Sequence, residues 1–281
     1  MALSIHTNYS ALTTNTALNK SNSALATNQQ RLGTGLRINS AADDAAGLQI
    51  ATRLNAQSRG MGIAMRNTGD ATSMLQTAEG AFSEATDILQ RMKDLSTQAA
   101  NDTNSAQDRT SLQAEFDALG EELTNIYSNT KYAGEALFTT KLGAAVSFQI
   151  GASAAETLSF DASAELGAAG TLATTLTVDV QALTLDSAAN AGAAITALET
   201  ALNDVGSMRA QFGANINRLN HTSNNLANMK DNTEMAKGRI MDADFAVESA
   251  NMSKNSMLMQ SGISMLKQAG QMPGMVMGLL G

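Results

Sequence analysis

The chain has no cysteine and only one proline, Pro273, among 281 residues. Without cysteine there can be no thiolate nucleophile, disulfide or thiolate metal site. With so little proline, the strongest helix breaker is missing from nearly every segment, and very long helices are permitted. Tryptophan is absent and aromatic residues are only 4% of the chain. A core of this size must then be built from Ala, Leu, Ile and the 16 Met, which suits thin, closely packed helices. No apolar run approaches the ~20 residues needed to span a bilayer. The opening Met1-Ala-Leu-Ser-Ile-His-Thr-Asn-Tyr-Ser10 lacks the basic start and apolar stretch of a signal peptide, so any exit from the cell is expected by another route.

The net charge of −8 argues against general nucleic-acid binding, whose affinity comes largely from neutralising phosphates. Its distribution is uneven. Residues 1–42 carry Lys20, Arg31 and Arg37 and no acid, residues 249–281 carry Lys254 and Lys267 and no acid, and residues 140–205 hold seven acids against one lysine. The ends are suited to packing against protein and the middle to solvent.

Helical periodicity dominates. Leu18, Leu25 and Leu32 recur every seven residues with Leu36 following, a narrow seam. The pattern resumes after Asn39-Ser40, with Asp43 and Asp44 read as first-turn acids and Leu48, Ile50 and Leu54 beyond them, and Gly60-Met-Gly62 weakens it. A second segment carries Leu75, Phe82, Leu89, Met92 and Ala99, and a third carries Leu112, Phe116, Leu119, Leu123 and Ile126. Alternation at Val146, Phe148 and Ile150 and again at Leu158 and Phe160 reads as a β-hairpin. Residues 162–186, with alternating Leu176, Val178 and Val180, read as a loop and a further short strand. The strongest seam follows in Ile195, Leu198, Leu202, Val205, Phe212, Ile216, Leu219 and Leu226, interrupted by Arg209 and Ser223, and the stripe at 75–99 is its natural partner. A last amphipathic stretch bears Met252, Met257, Leu258, Ile263, Met265 and Leu266 and ends in the apolar 275–280. The expected fold is therefore mainly α, a hairpin or coiled-coil rod of long helices with a small β-hairpin region and both termini together.

Little here supports chemistry. His6 and His221 are the only histidines, too few and too far apart for an H-E-x-x-H helix or a multi-histidine metal site. Gly33-Thr-Gly35 and Gly60-Met-Gly62 follow helices rather than strands and read as bends, not phosphate cradles. Asp43 and Asp44 are adjacent, about 100° apart on a helix, and do not converge as a carboxylate pair. No catalytic, cofactor or metal residue is assigned.

Gln30-Arg-Leu-Gly-Thr-Gly-Leu-Arg-Ile-Asn-Ser40, continuing Ala-Ala-Asp-Asp-Ala-Ala-Gly47, closely resembles the amino-terminal region of bacterial flagellins. Arg239-Ile-Met-Asp-Ala-Asp244 and Pro273 within Gln-Met-Pro-Gly, ahead of Leu279-Leu280, resemble the carboxy-terminal region. Gln90-Arg-Met-Lys-Asp-Leu95 and Leu112-Gln-Ala-Glu115 resemble two further segments in register. The chain departs from the family at Gly281, where many relatives end in a basic residue, and at His6.

The resemblance implies a self-assembling subunit of the flagellar filament, in a short form lacking large outer surface domains. It implies inner-core coiled-coil halves at 1–42 and 242–281, an outer helical rod with β-hairpin at 43–161, a short variable surface loop at 162–187 and a return helix at 188–241. Subunit packing is expected from Leu18, Leu25, Leu32, Leu36, Met257, Leu258, Ile263 and Leu266, and the intramolecular seam from Leu75, Phe82, Leu89, Met92, Ile195, Leu198, Leu202, Val205, Phe212, Ile216 and Leu219. Implied partners are further copies of the chain, an export chaperone, filament cap and hook-junction proteins, and the vertebrate Toll-like flagellin receptor through Arg91, Leu95 and Glu115. No nucleic acid, membrane insertion or cofactor is implied. The alternatives are a hook-filament junction protein or a secreted coiled-coil scaffold.

Overall fold

A computed structural model of the protein describes residues 7–167 and 170–280. His6 and Gly281 lie outside the described residues, as do the side chains at 272, 273 and 275–280. The chain is mainly α: α1 (Tyr9–Thr34), α2 (Ala45–Ala99), α3 (Ala106–Asn129), two short helices α4 (Ser163–Leu166) and α5 (Thr171–Thr174), then α6 (Ala188–Met241) and α7 (Phe245–Leu280). It divides into two compact units, one of residues 1–56 with 232–281 and one of residues 57–231.

In the unit of residues 57–231 the glycines at 60 and 62 do not end a helix, contrary to the weakening read from them, because α2 runs through both. Each glycine costs about 1 kcal/mol relative to Ala in a helix interior. Packing offsets it: Met61 and Ala64 are buried against Leu226, and Gly60 lies so close to Ala152 that a Cβ there would stand 2.7 Å from the Ala152 Cβ.

A second, much larger apolar core fills most of this unit. Leu75, Phe82, Leu89 and Met92 of α2 and Leu198, Val205, Phe212 and Leu219 of α6 are buried in it, flanked by half-buried Leu202 and Ile216; Ile195 is half-buried on the same helix. Arg209, which breaks the α6 stripe, reaches back to Glu79 Oε1 through Nη2 at 2.8 Å and Nε at 3.3 Å. The scarce aromatics are concentrated here. Phe82 packs on Phe138 and Phe212 with ring centroids 4.7 and 5.7 Å apart, Phe160 joins Phe212 at 5.8 Å, and Tyr127 joins Phe138 at 5.5 Å. The Tyr127 hydroxyl donates to the Leu166 carbonyl at 2.7 Å, and burial pushes its pKa up to about 12.

A capping box starts α3: Asp108 N–H donates to Ser105 Oγ, while the Asp108 carboxylate accepts from the Ser105 N–H at 2.9 Å and hydroxyl at 2.7 Å. These hydrogen bonds, the hydroxyl's first, hold the Asp108 pKa below 3.8. The antiparallel hairpin of β3 (Val146–Gln149) and β4 (Thr157–Phe160) pairs Val146 with Phe160 and Phe148 with Leu158. A smaller hairpin, β1 (Lys131–Tyr132) with β2 (Glu135–Ala136), turns through Ala133 and Gly134 at φ 52° and 86°.

The strand read at 176–180 is not there. Residues 171–179 are helical, α5 running into a π-helical turn (Thr175–Asp179), and Leu172, Leu176 and Val180 are buried in the core. The four-residue spacing of those three side chains is one helical face; Val178, which completed the apparent alternation, is exposed.

In the unit of residues 1–56 and 232–281, Asp43 and Asp44 precede α2 instead of sitting in its first turn. Asp44 is the N-cap, its Oδ1 accepting from the Gly47 N–H at 2.8 Å. Asp43 accepts from the N–H groups of Ser40 (2.9 Å) and Asn39 (3.0 Å), and these bonds, Ser40's first, lower its pKa. A Cβ at Gly47 would meet the Asp44 carboxylate at 2.5 Å and Ile38 Cδ1 at 2.8 Å, so a larger residue there would have to displace the capping side chain.

Candidate functional site in the paired terminal helices

α1 and α7 pack antiparallel, as contacts at both ends of α1 show: Asn8 Nδ2 donates to the Ala269 carbonyl at 2.7 Å, and Arg31 Nη1 lies 3.0 Å from Glu248 Oε1. Asn8 also caps α1 by accepting from the Ala11 N–H, and Gly35 closes that helix at φ 72°, a left-handed conformation that favours glycine. The chain past Gly35 pairs with the α6–α7 connection. Arg37 N–H donates to the Met241 carbonyl at 2.6 Å, Ala243 N–H to the Gly35 carbonyl at 3.0 Å, and Arg37 Nη2 to the Ile240 carbonyl at 2.9 Å. The two most recognisable sequence segments, at 30–47 and 239–244, thus hold each other.

Residues with reduced exposure trace a heptad seam along both helices. On α1 they include Ala11, Thr14, Leu18, Ser21, Leu25, Asn28 and Leu32; on α7 they include Glu248, Met252, Asn255, Met259, Gly262, Leu266 and Ala269. Spacings of three and four alternate throughout, the pattern of a two-stranded coiled coil. Leu18, Leu25, Leu32 and Leu266 therefore stand in the seam within one chain, and Leu36 is half-buried at the Asp242 bridge. Met257, Leu258 and Ile263 stand off the seam and are 65%, 48% and 43% exposed; Met265 beside them is 60% exposed. A groove of about 310 Å³ follows the junction, lined by residues that include Leu18, Ser21, Leu258, Ser261 and Met265.

One end of the seam is polar. Glu248 is only 7% exposed, the one buried charged residue among the described residues. Its Oε1 takes the Arg31 guanidinium, while Arg31 Nε is buried with no hydrogen-bond acceptor. Asn28, 7% exposed, has its amide turned to donate to Glu248 Oε2 at 3.1 Å and to accept from Asn255 Nδ2 at 3.1 Å. These four polar residues were missed in the apolar reading of the sequence. The signal was present, since Asn28 and Asn255 hold positions in the same heptad frame as Leu25 and Met252.

Arg91, Leu95 and Glu115 lie in the other unit. Arg91 Nη2 and Nε donate to Glu115 Oε1 at 2.6 and 2.9 Å, and both side chains are about half exposed. Leu95 is 1% exposed in the core, so the apolar-anchor role expected of it is corrected: in the folded subunit it presents no surface. It stands three residues past the buried Met92, on the core side of α2.

Residues 5–141 match the family model for the bacterial flagellin N-terminal helical region, and residues 195–280 that for the bacterial flagellin C-terminal helical region. Flagellin A of Vibrio anguillarum is 36% identical over 379 residues, covering 100% of both chains, and flagellin A of Vibrio cholerae serotype O1 is 35% identical over the same span. The crystal structure of Bacillus cereus flagellin superposes with a TM-score of 0.50 at 33% identity, over 57% of this chain and 88% of that one.

Proposed function

Since the chain belongs to the bacterial flagellin family and is a structural subunit of the flagellar filament, we propose that neighbouring copies pack around α7 on the sides its seam with α1 leaves open. The observation that carries this is the exposure of Met257, Leu258, Ile263 and Met265 together on one helix already paired with α1. Burying a side chain of this size removes about 1.5–3 kcal/mol of unfavourable hydration, so apolar side chains exposed on both flanks of the seam and behind it favour more than one partner. In this reading residues 1–42 and 242–281 form the inner core of the filament and 43–161 and 188–241 the outer rod, with 162–187 packed into the rod's core through Leu166, Leu172, Leu176 and Val180 and not projecting as a free surface loop. The terminal helices gain their full stability only on assembly, when neighbours bind the folded form.

The same exposed apolar side chains are an aggregation hazard before assembly, which supports a cytoplasmic export chaperone that holds α7. Secretion to the cell exterior and contacts with the filament cap and hook-junction proteins complete the proposed life of the subunit, and no catalytic role is proposed. For the Toll-like receptor, the exposed Arg91–Glu115 pair supports a polar contact with the monomer. Receptor-reporter activation should fall with Arg91→Ala in folded monomer, and unchanged activation removes this contact.

Seeded polymerisation tests the packing face. Met257→Glu with Ile263→Glu should abolish pelletable filament while leaving the melting of residues 57–231 unchanged. Filaments of normal length and yield from that variant would overturn the reading.

A further inference from the structure

The heptad repeat of the large apolar side chains does not by itself define which residues face each other across the α1–α7 seam. Leu18, Leu25 and Leu32 recur every seven residues on α1, and Met252, Met259 and Leu266 every seven on α7. Sliding α7 by seven residues along α1 therefore sets the same kinds of apolar side chain opposite one another, and hydrophobic burial barely distinguishes the registers.

The intervening seam positions do not repeat. They read Thr14, Ser21 and Asn28 on α1, and Glu248, Asn255, Gly262 and Ala269 on α7. In the observed register the buried Glu248 carboxylate meets the Arg31 guanidinium at Oε1 and the Asn28 amide at Oε2, and Asn28 meets Asn255. A slip of seven residues in one direction puts Glu248 beside Ser21 and Ala24, where no guanidinium replaces Arg31. A slip in the other direction carries it past the end of α1 and sets Asn28 between Asn255 and Gly262 without the Glu248 carboxylate. Either way the Glu248 carboxylate loses the Arg31 guanidinium, which costs far more than an exposed pair contributes.

We propose that the polar layer of Asn28, Arg31, Glu248 and Asn255 selects the register in which the terminal helices pair. The role goes beyond filament packing, because it concerns contacts within a single chain. A buried polar layer of this kind lowers the stability of a seam while excluding its alternatives.

The absence of native cysteine makes the register directly measurable. Ser21→Cys with Ser261→Cys places two thiols on the walls of the one groove and reports the observed register. Ser21→Cys with Gln268→Cys, or with Lys254→Cys, reports the two slipped ones. The full chain is polymerised onto filament seeds and treated with a short bis-maleimide, and gel mobility separates cross-links within a chain from those between chains. The unaltered layer should cross-link the in-register pair at least about tenfold faster than either slipped pair. With Asn28→Leu, Arg31→Met and Glu248→Leu together, a slipped pair should come within about threefold of the in-register pair. Retention of the single register in that apolar variant would overturn the proposal. If the variant does not polymerise, the charge exchange decides. Arg31→Glu alone should lower in-register cross-linking about tenfold, and adding Glu248→Arg should restore it; no restoration by the exchange also overturns the proposal. Cross-links found only between chains would instead count against the α1–α7 pairing on which the packing face was assigned.

Discussion

Leu18 of α1 lies over Gly262 of α7 so closely that a Cβ on the glycine would stand 2.8 Å from the Leu18 Cδ1. The missing side chain at 262 lets the two helices approach, and Leu18 fills the space it leaves.

Substitution at Gly262 should therefore depend on size. Alanine gains about 0.5–1 kcal/mol of helix propensity and displaces only a flexible leucine end, so the Gly262→Ala variant should polymerise nearly as the parent does. Leucine overfills the seam and costs about 1–3 kcal/mol, which should raise the critical concentration for seeded growth about five- to a hundredfold. Sedimentation of polymer across a concentration series reads both, and equal critical concentrations for Gly262→Leu and parent would remove the seam's close approach from the account.

Deleting residues 245–281 removes α7 and none of the core that holds Leu75, Phe82 and Phe212 together. The truncated chain should keep the cooperative thermal transition of residues 57–231 and form no filament. Circular dichroism and pelleting make the comparison; pelletable filaments from the truncated chain would contradict it.

Phe82 contacts two other rings and is 1% exposed. Its truncation to alanine opens a cavity in that core and should destabilise the unit by about 3–5 kcal/mol. Urea unfolding followed by circular dichroism gives the value, and a loss below about 1 kcal/mol would mean that the cluster relaxes around the gap.

Asp108 carries the pH prediction. Its folded pKa is depressed below the ordinary 3.8, so its contribution to stability is fully present above that value and is lost as the pH falls through the folded pKa. Asp108→Asn should lower the thermal midpoint at neutral pH and bring the variant and parent curves together as acid protonates the parent's carboxylate. A constant gap between them from about pH 6 down to about pH 2 would show that ionisation of this side chain does not matter to the cap.

Much of this fold is legible from local pattern. The helical frames through Leu75 and Leu89, Leu198 and Leu219, and Leu18 and Leu25 follow from spacing, because a helix face repeats within a few residues and leaves its trace in any short window. The hairpin at 146–160 follows from alternation for the same reason. Where two periods fit equally well, the local pattern misled: Leu176, Val178 and Val180 alternate as a strand would, and burial of Leu172, Leu176 and Val180 made the segment helical. Glycines 60 and 62 misled in the same way, since the packing that offsets their cost comes from Ala152 and Leu226.

By itself, then, the sequence determined the helices, their apolar stripes and the family. Only the tertiary structure decided that Leu18, Leu25 and Leu32 spend their stripe on α7 of the same chain, that Met257, Leu258 and Ile263 are left exposed, and that Leu95 is core. It alone joined Arg31 to Glu248 across 217 residues of sequence. The physical reason is that periodicity records which face of a helix is apolar, whereas what covers that face depends on contacts between residues far apart in the chain, whose pairing leaves no local repeat.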